Sequence, residues 1–189
     1  MIKKEVYSHL IASLAAFVLL EIIWLFTGSF SILKAFIFAS GLIIGTFLLD
    51  ADHLIYWFFL KPDFEESKIA RELWQKKNWK GLLKHLEANH KNHVSLVFHH
   101  FIFQVLLLVL TFFIFTSTSN VFGKGLVLAL DLHLLVDIRE DLKADPNHLR
   151  NWLFARSPLA SLHLPVSWLK IYWLAYAFLV GGIAGAFIR

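Results

Sequence analysis

Five stretches of this chain are apolar for long enough to cross a bilayer, and this restricts the backbone more than any other feature. About 20 apolar residues at ~1.5 Å per residue span a ~30 Å hydrocarbon core. Inside that core every backbone N–H and C=O must be satisfied within the chain, so runs of this length are helical. The runs cover residues 6–26, 31–60, 94–115, 121–138 and 168–188. The expected fold class is therefore all-α: a polytopic membrane helical bundle of about five transmembrane helices, forming a single integral membrane domain over residues 1–189. Two polar segments, 61–93 and 139–167, carry amphipathic helices at one face. A hydrophobic content of 58% and a mean hydropathy of +0.63 agree with this class.

The run ends carry local signals. Lys3 and Lys4 before the first run resemble the start of a secretory signal. That run, however, is long and ends in Ile23-Trp24-Leu25-Phe26, with no small-residue cleavage site, so it reads as a membrane helix. Lys61-Pro62 terminates the second run. Asp63 and Glu66 have the spacing of a capping box. Ile69, Leu73, Leu83 and Leu86 fall near one stripe, as in a helix lying on the membrane or capping the bundle. Pro146, Pro158 and Pro165 break the second polar segment into short pieces. Gly181 and Gly185 form a small-xxx-small pair suited to close helix approach.

Of the 18 Lys and Arg residues, all except Lys34, Lys124 and Arg189 fall on the face shared by the amino terminus and the two polar segments. The positive-inside rule puts that face in the cytoplasm, the expectation for a multi-pass protein of a bacterial inner membrane with a cytoplasmic amino terminus. The net charge of +4 suits anionic lipid headgroups. No basic stripe has the interleaving that nucleic acid requires. The absence of cysteine excludes disulfides and thiolate ligands.

The second run contains Asp50-Ala51-Asp52-His53. Two carboxylates and an imidazole in such surroundings cost several kcal/mol unless they pair or bind something. Asp and His together are ligands for a divalent metal. Other His and Asp residues gather at the same end of their runs: His9 in the first, His93, His99 and His100 at the third, Asp131, His133 and Asp137 in the fourth. His133 and Asp137 are one helical turn apart and share a face, as do Asp50 and His53. Glu5 lies one turn from His9 as a supporting partner. In the opposite half Glu21 stands apart, and pairing with Lys34 accounts for it. His85 and His90 read as loop residues, and His148 and His163 are unassigned.

The order His9, Gly45-Thr46-Phe47-Leu48-Leu49-Asp50-Ala51-Asp52-His53, a His-rich start to the third run, and His133-Leu134-Leu135-Val136-Asp137 resembles the bacterial inner-membrane metal-dependent hydrolase family. It is also similar in ligand order to zinc-dependent phospholipase C. Leu49 stands where the membrane family usually has proline. The resemblance implies a hydrolase of phosphoesters such as phospholipids or lipid phosphates, with one or more divalent ions, zinc foremost, held by His9, Asp50, His53, His133 and Asp137. These would be joined by a histidine from among His90, His93, His99 and His100, with depth favouring His99 or His100. Asp52 or Asp131 is the candidate general base. Arg139, Arg150 or Arg156 is suited to bidentate capture of a phosphate headgroup. The competing readings are a metal-binding or transport protein using the same ligands, and a membrane di-iron oxidase.

Overall fold

The computed structural model describes residues 2–155, 157–161 and 164–188, with side chains from residue 6 onward apart from those of residues 160 and 161. The elements are α1 (Ile2–Phe26), α2 (Ile32–Leu48), α3 (Ala51–Ile55) continued by a π-helical turn (Tyr56–Leu60), α4 (Glu65–Gln75), α5 (Trp79–Asn89) with a 3₁₀ turn (His90–Asn92), α6 (Phe101–Ser117), α7 (Val121–Ala144), α8 (Pro146–Leu153), a 3₁₀ turn (Pro158–Ser161) and α9 (Val166–Phe187). No strand occurs among the described residues. Three stretches are long and apolar enough to cross a membrane: Val6–Phe26, Ile32–Leu60 and Val166–Phe187. Helix α6 is apolar but shorter. It begins at Phe101 rather than at residue 94, because residues 94–100 leave the helix to build the site described below.

Helix α7 is the axis of the bundle. More than half of it is buried, and α1, α2, α6, α8 and α9 pack around it. A helix enclosed on all sides needs apolar residues all round, which Val127-Leu128-Ala129-Leu130 and Leu134-Leu135-Val136 supply. The closest approach is to α2. A Cβ on Gly41 would lie 2.3 Å from the Phe122 carbonyl oxygen, one on Gly45 2.5 Å from that of Leu126, and one on Gly125 2.4 Å from that of Phe38. The expected close pair on α9 is different: Gly181 and Gly185 face open space within this chain. Backbone contact in this bundle therefore depends on α2 and α7.

A polar seam ties α6 and α9 to α7. Thr111 Oγ1 donates to Asp131 Oδ2 at 2.7 Å, and Tyr176 Oη donates to Asp131 Oδ1 at 2.6 Å. Nearby, Tyr172 Oη donates to Gln104 Oε1 at 2.6 Å, and Gln104 Nε2 donates to the His99 carbonyl at 2.8 Å. At the end remote from the His/Asp residues, the last carbonyls of α9 are capped by side chains: Trp24 Nε1 donates to Ile188 and Lys124 Nζ to Phe187. The expected Glu21–Lys34 pair does not form an ion pair. Lys34 Nζ bonds the Ser29 carbonyl and lies 4.0 Å from the centre of the Trp24 ring.

The amphipathic segment is two helices, not one. Asp63 does not cap α4; Phe64 occupies that position, with no side-chain cap. At its other end Lys77 N–H bonds the Trp74 carbonyl and Asn78 N–H the Leu73 carbonyl, with Lys77 in the left-handed region at φ 53°. This is a Schellman ending with lysine where glycine is usual. Asn78 then caps α5 by accepting from Gly81 N–H. Trp57, Tyr56, Ala70, Leu82 and Leu96 form a small separate core under these helices.

Candidate metal centre

Helix α2 ends at Leu48, two residues before the Asp/His tetrapeptide begins, and this break builds one wall of the site. Asp50 N–H bonds the Phe47 carbonyl in a tightened turn. The Thr46 carbonyl then accepts from His133 Nδ1–H at 2.8 Å, across the α2–α7 contact. With Nδ1 protonated, His133 presents an Nε2 lone pair. That Nε2 lies 3.2 Å from Asp137 Oδ2, one turn further along α7, and 3.7 Å from Asp50 Oδ1.

The non-helical residues 94–100 supply the second imidazole. Asp52 is fully buried and accepts from the backbone N–H of Val97 at 3.1 Å and of Phe98 at 2.5 Å. Its Oδ2 also receives His99 Nδ1–H at 3.3 Å. His99 Nε2 is thereby turned to Asp137 Oδ2, 3.3 Å away. Residues 97–100 bend, and His100, at φ −65° and ψ 145° before α6, is not among the residues lining the cavity. It caps α6 by accepting from Ile102 N–H and donates through Nε2 to the Ala155 carbonyl.

His9 on α1 completes the group. Its ring stacks on that of His133 at 4.1 Å, and its Nε2 lies 3.2 Å from Asp137 Oδ1. His9 Nδ1 is buried with no hydrogen-bond partner. Ligand atoms of His9, His133 and Asp137 all lie within 4.8 Å of one another, so this group can hold a metal ion. The fit rests on lone pairs. Two imidazoles with Nδ1–H already donated aim bare Nε2 atoms at carboxylate oxygens. Acceptor facing acceptor at this range requires a cation, or a proton, between them.

His53 reaches the same cavity by a different support. Its Nδ1 lies 2.7 Å from His93 Nδ1, and His93 Nε2 faces Glu66 Oε1 at 3.6 Å. Glu66 also takes a hydrogen bond from Tyr56. A His93 proton on Nε2, toward Glu66, leaves Nδ1 to accept from His53 Nδ1–H and frees His53 Nε2 for the cavity. Burial, with His90 and His85 adding to it, pushes His93 down to about 4, so its imidazole is neutral near neutrality.

The cavity is about 320 Å³, and its lining combines Asp50, His53, His99, His133 and Asp137 with the apolar Val6, Phe47, Leu83, Leu86, Leu96 and Val136. Lys91, Glu140, Asp141 and His148 stand at its polar rim. His148 Nδ1 donates to Asp141 Oδ2 at 2.8 Å and Nε2 to the Lys91 carbonyl at 2.7 Å. Trp152 Nε1 donates to the same Asp141 oxygen. The Asp141 carboxylate holds the His148 imidazole above its usual range.

The sequence-derived candidates thus divide. His9, Asp50, His53, His99, His133 and Asp137 converge on one cavity. His100 does not; its ring is bonded to Ile102 N–H and the Ala155 carbonyl instead. Asp131 is not available as a base: it lies on another side of α7 with both oxygens bonded by hydroxyls. Asp52 is likewise occupied, and its role here is to hold residues 97–99. Arg139 pairs with Glu140 and Arg150 with Asn147, and neither lines the cavity, where Lys91 stands as the cation. Arg156, His163 and the Glu5 side chain lie outside the described residues. Of His85 and His90, read as loop residues, His85 lies in α5 with Nε2–H donating to the Glu66 carbonyl, and His90 starts the 3₁₀ turn and lines the cavity. Asp141 and Trp152 were not singled out from sequence, and Glu66 and Thr46 were noted there only for helix capping and motif order, not as supports of the site. Comparison with protein-family models, with curated proteins and with solved structures found no match.

Proposed function

We propose that this chain is a membrane-embedded, metal-dependent hydrolase of phosphoesters, with lipid phosphates as the substrate class and zinc as the ion. The observation that carries the reading is the convergence of Nε2 atoms from His9, His99 and His133 on one carboxylate, Asp137, at the wall of a cavity that also has apolar lining. Nitrogen and oxygen donors in this mixture suit zinc. The resemblance to the membrane hydrolase family and to zinc-dependent phospholipase C rests on the same residues. We place the bundle in a bacterial inner membrane with α1, α2, α6, α7 and α9 crossing and the cavity at the cytoplasmic face, on the strength of the Lys/Arg asymmetry.

His9, His133 and Asp137 would hold the ion, with His99 and His53 at its border. When bound, such an ion supplies Lewis acidity: it acidifies water and offsets charge on the phosphoryl oxygens. Asp50 lines the cavity and its side chain is 46% exposed, which makes it the carboxylate free to accept a proton. Water attacks phosphorus, the P–O ester bond breaks, Asp50 takes the proton of the attacking water, and that proton passes to the departing alkoxide. Lys91 at the rim offers a charge to the phosphate.

The test is elemental analysis of detergent-purified protein joined to turnover of phosphatidic acid and phospholipids before and after chelation. The expected result is zinc content, turnover that is lost on chelation and restored by zinc, and loss of both in His133→Ala. Metal without turnover would favour a binding or transport protein, and iron a di-iron oxidase. Turnover indifferent to chelation and to His133→Ala would overturn the reading.

A further inference from the structure

Three residues line the cavity and are also open to the outside on its apolar side: Val6 on α1, half-buried; Phe47 on α2, 42% exposed; and Leu83 on α5, 62% exposed. A cavity is open where its wall residues are exposed, so these three frame a mouth. The mouth does not face a polar surface. On α1 it continues into exposed Tyr7, Leu10, Ile11 and Leu14, and on α2 into exposed Ile43, Ile44 and Leu48. These are outer faces of two of the stretches long enough to cross a membrane. The lining also holds a polar group of residues, Lys91, Glu140 and His148.

We propose that the cavity is loaded sideways from the bilayer through a portal framed by Val6, Phe47 and Leu83, and that its occupant is a membrane lipid with a phosphorylated head. The chain of the lipid lies across the portal, its lower part against Leu86, Leu96 and Val136. The head reaches the His/Asp cluster, with Lys91 beside it. A soluble phosphoester has no use for an apolar mouth and would arrive by the polar rim. The proposal rests on the hydrolase reading for its chemistry but on exposure and continuity of the apolar face for the route.

Leu83→Trp and Phe47→Trp narrow the portal without touching a polar group of the site. In nanodiscs, each should lower kcat/KM for a long-chain phosphatidic acid about ten-fold more than for a short-chain, water-soluble analogue. An equal effect on the two substrates would overturn the proposal. A readout independent of turnover uses the absence of cysteine in the chain. A nitroxide on Leu83→Cys should be relaxed more by oxygen, which partitions into lipid, than by a water-soluble nickel chelate. The reverse order overturns the portal even if the enzyme is active. Failure of wild type to turn over either substrate, with oxygen still dominant, would remove the hydrolase reading and leave the lipid-facing mouth.

Discussion

Asp52 and Asp131 are both fully buried aspartates near the His/Asp cluster, and they do different work. Asp52 is bonded to the His99 ring, so it acts on any ion through the orientation and basicity of that imidazole. Asp52→Asn should weaken zinc affinity by roughly 10–100-fold, measured by competition with a chromogenic chelator. Asp131→Asn should leave that affinity near wild type and lower stability by about 1–3 kcal/mol, because it disturbs a buried bond between helices. If both variants lose metal equally, the division of roles is wrong. Part of this was open to reading from sequence. His133 and Asp137 share a face by their four-residue spacing, whereas Asp131 stands ~200° round the helix from His133 at 100° per residue. The choice of His99 over His100 was not legible. It depends on a non-helical, bent backbone at residues 94–100, which apolar composition alone reports as helix. The supporting role of Glu66 was equally hidden, because it requires α4 to fold back over α3.

Among the elements, α2 and α7 form the most constrained pair. Gly45→Ala would put a methyl group 2.5 Å from the Leu126 carbonyl oxygen and 2.8 Å from Ala129 Cβ, so the helices must part. Overpacking of this kind costs ~1–3 kcal/mol. Because Thr46 carries the carbonyl that anchors His133, loss of metal affinity should accompany the drop in thermal stability in detergent. Stability lost with affinity intact would mean that the anchor is dispensable. Hydrophobic runs located this contact only coarsely, since both Gly41/Gly45 and Gly181/Gly185 offer the same small-residue spacing and only packing distinguishes them. A second element-scale effect lies at the rim, where His148 joins the 3₁₀ turn His90–Asn92 to α7. Its two donated bonds require the imidazolium. A pKa raised above 6.5 in the folded protein gives stabilisation that is complete below 6.5 and is lost as pH rises through the raised value. Hydrogen exchange of residues 90–92 should therefore quicken relative to α7 as pH is raised through that range, and His148→Gln should be fast throughout. Exchange that slows with rising pH, after correction for intrinsic rates, would contradict this.

For the whole molecule, the sequence conveyed the helical class through run length, and three stretches meet the criterion in the folded chain. Helix α7 is less plain from hydropathy because it holds the charged site and is shielded by its neighbours instead of by lipid. The proposed five-crossing arrangement makes a direct prediction. Single cysteines at Lys84 and Ser119, in a chain that has none, should be labelled by an impermeant maleimide from opposite faces of the membrane, Lys84→Cys from the cytoplasm. Labelling of both from one face would exclude that topology.

The backbone contact between α2 and α7 has a mechanical corollary. Bilayers of different thickness force long helices to tilt or slide by small amounts. α2 and α7 touch backbone to backbone and have no slack for such movement, while Gly181, Gly182 and Gly185 meet nothing within 4 Å in this chain. If the bundle crosses a membrane as proposed, the α2–α7 pair would resist such adjustment, and the His and Asp groups it carries would stay in register while the lipid around them changes.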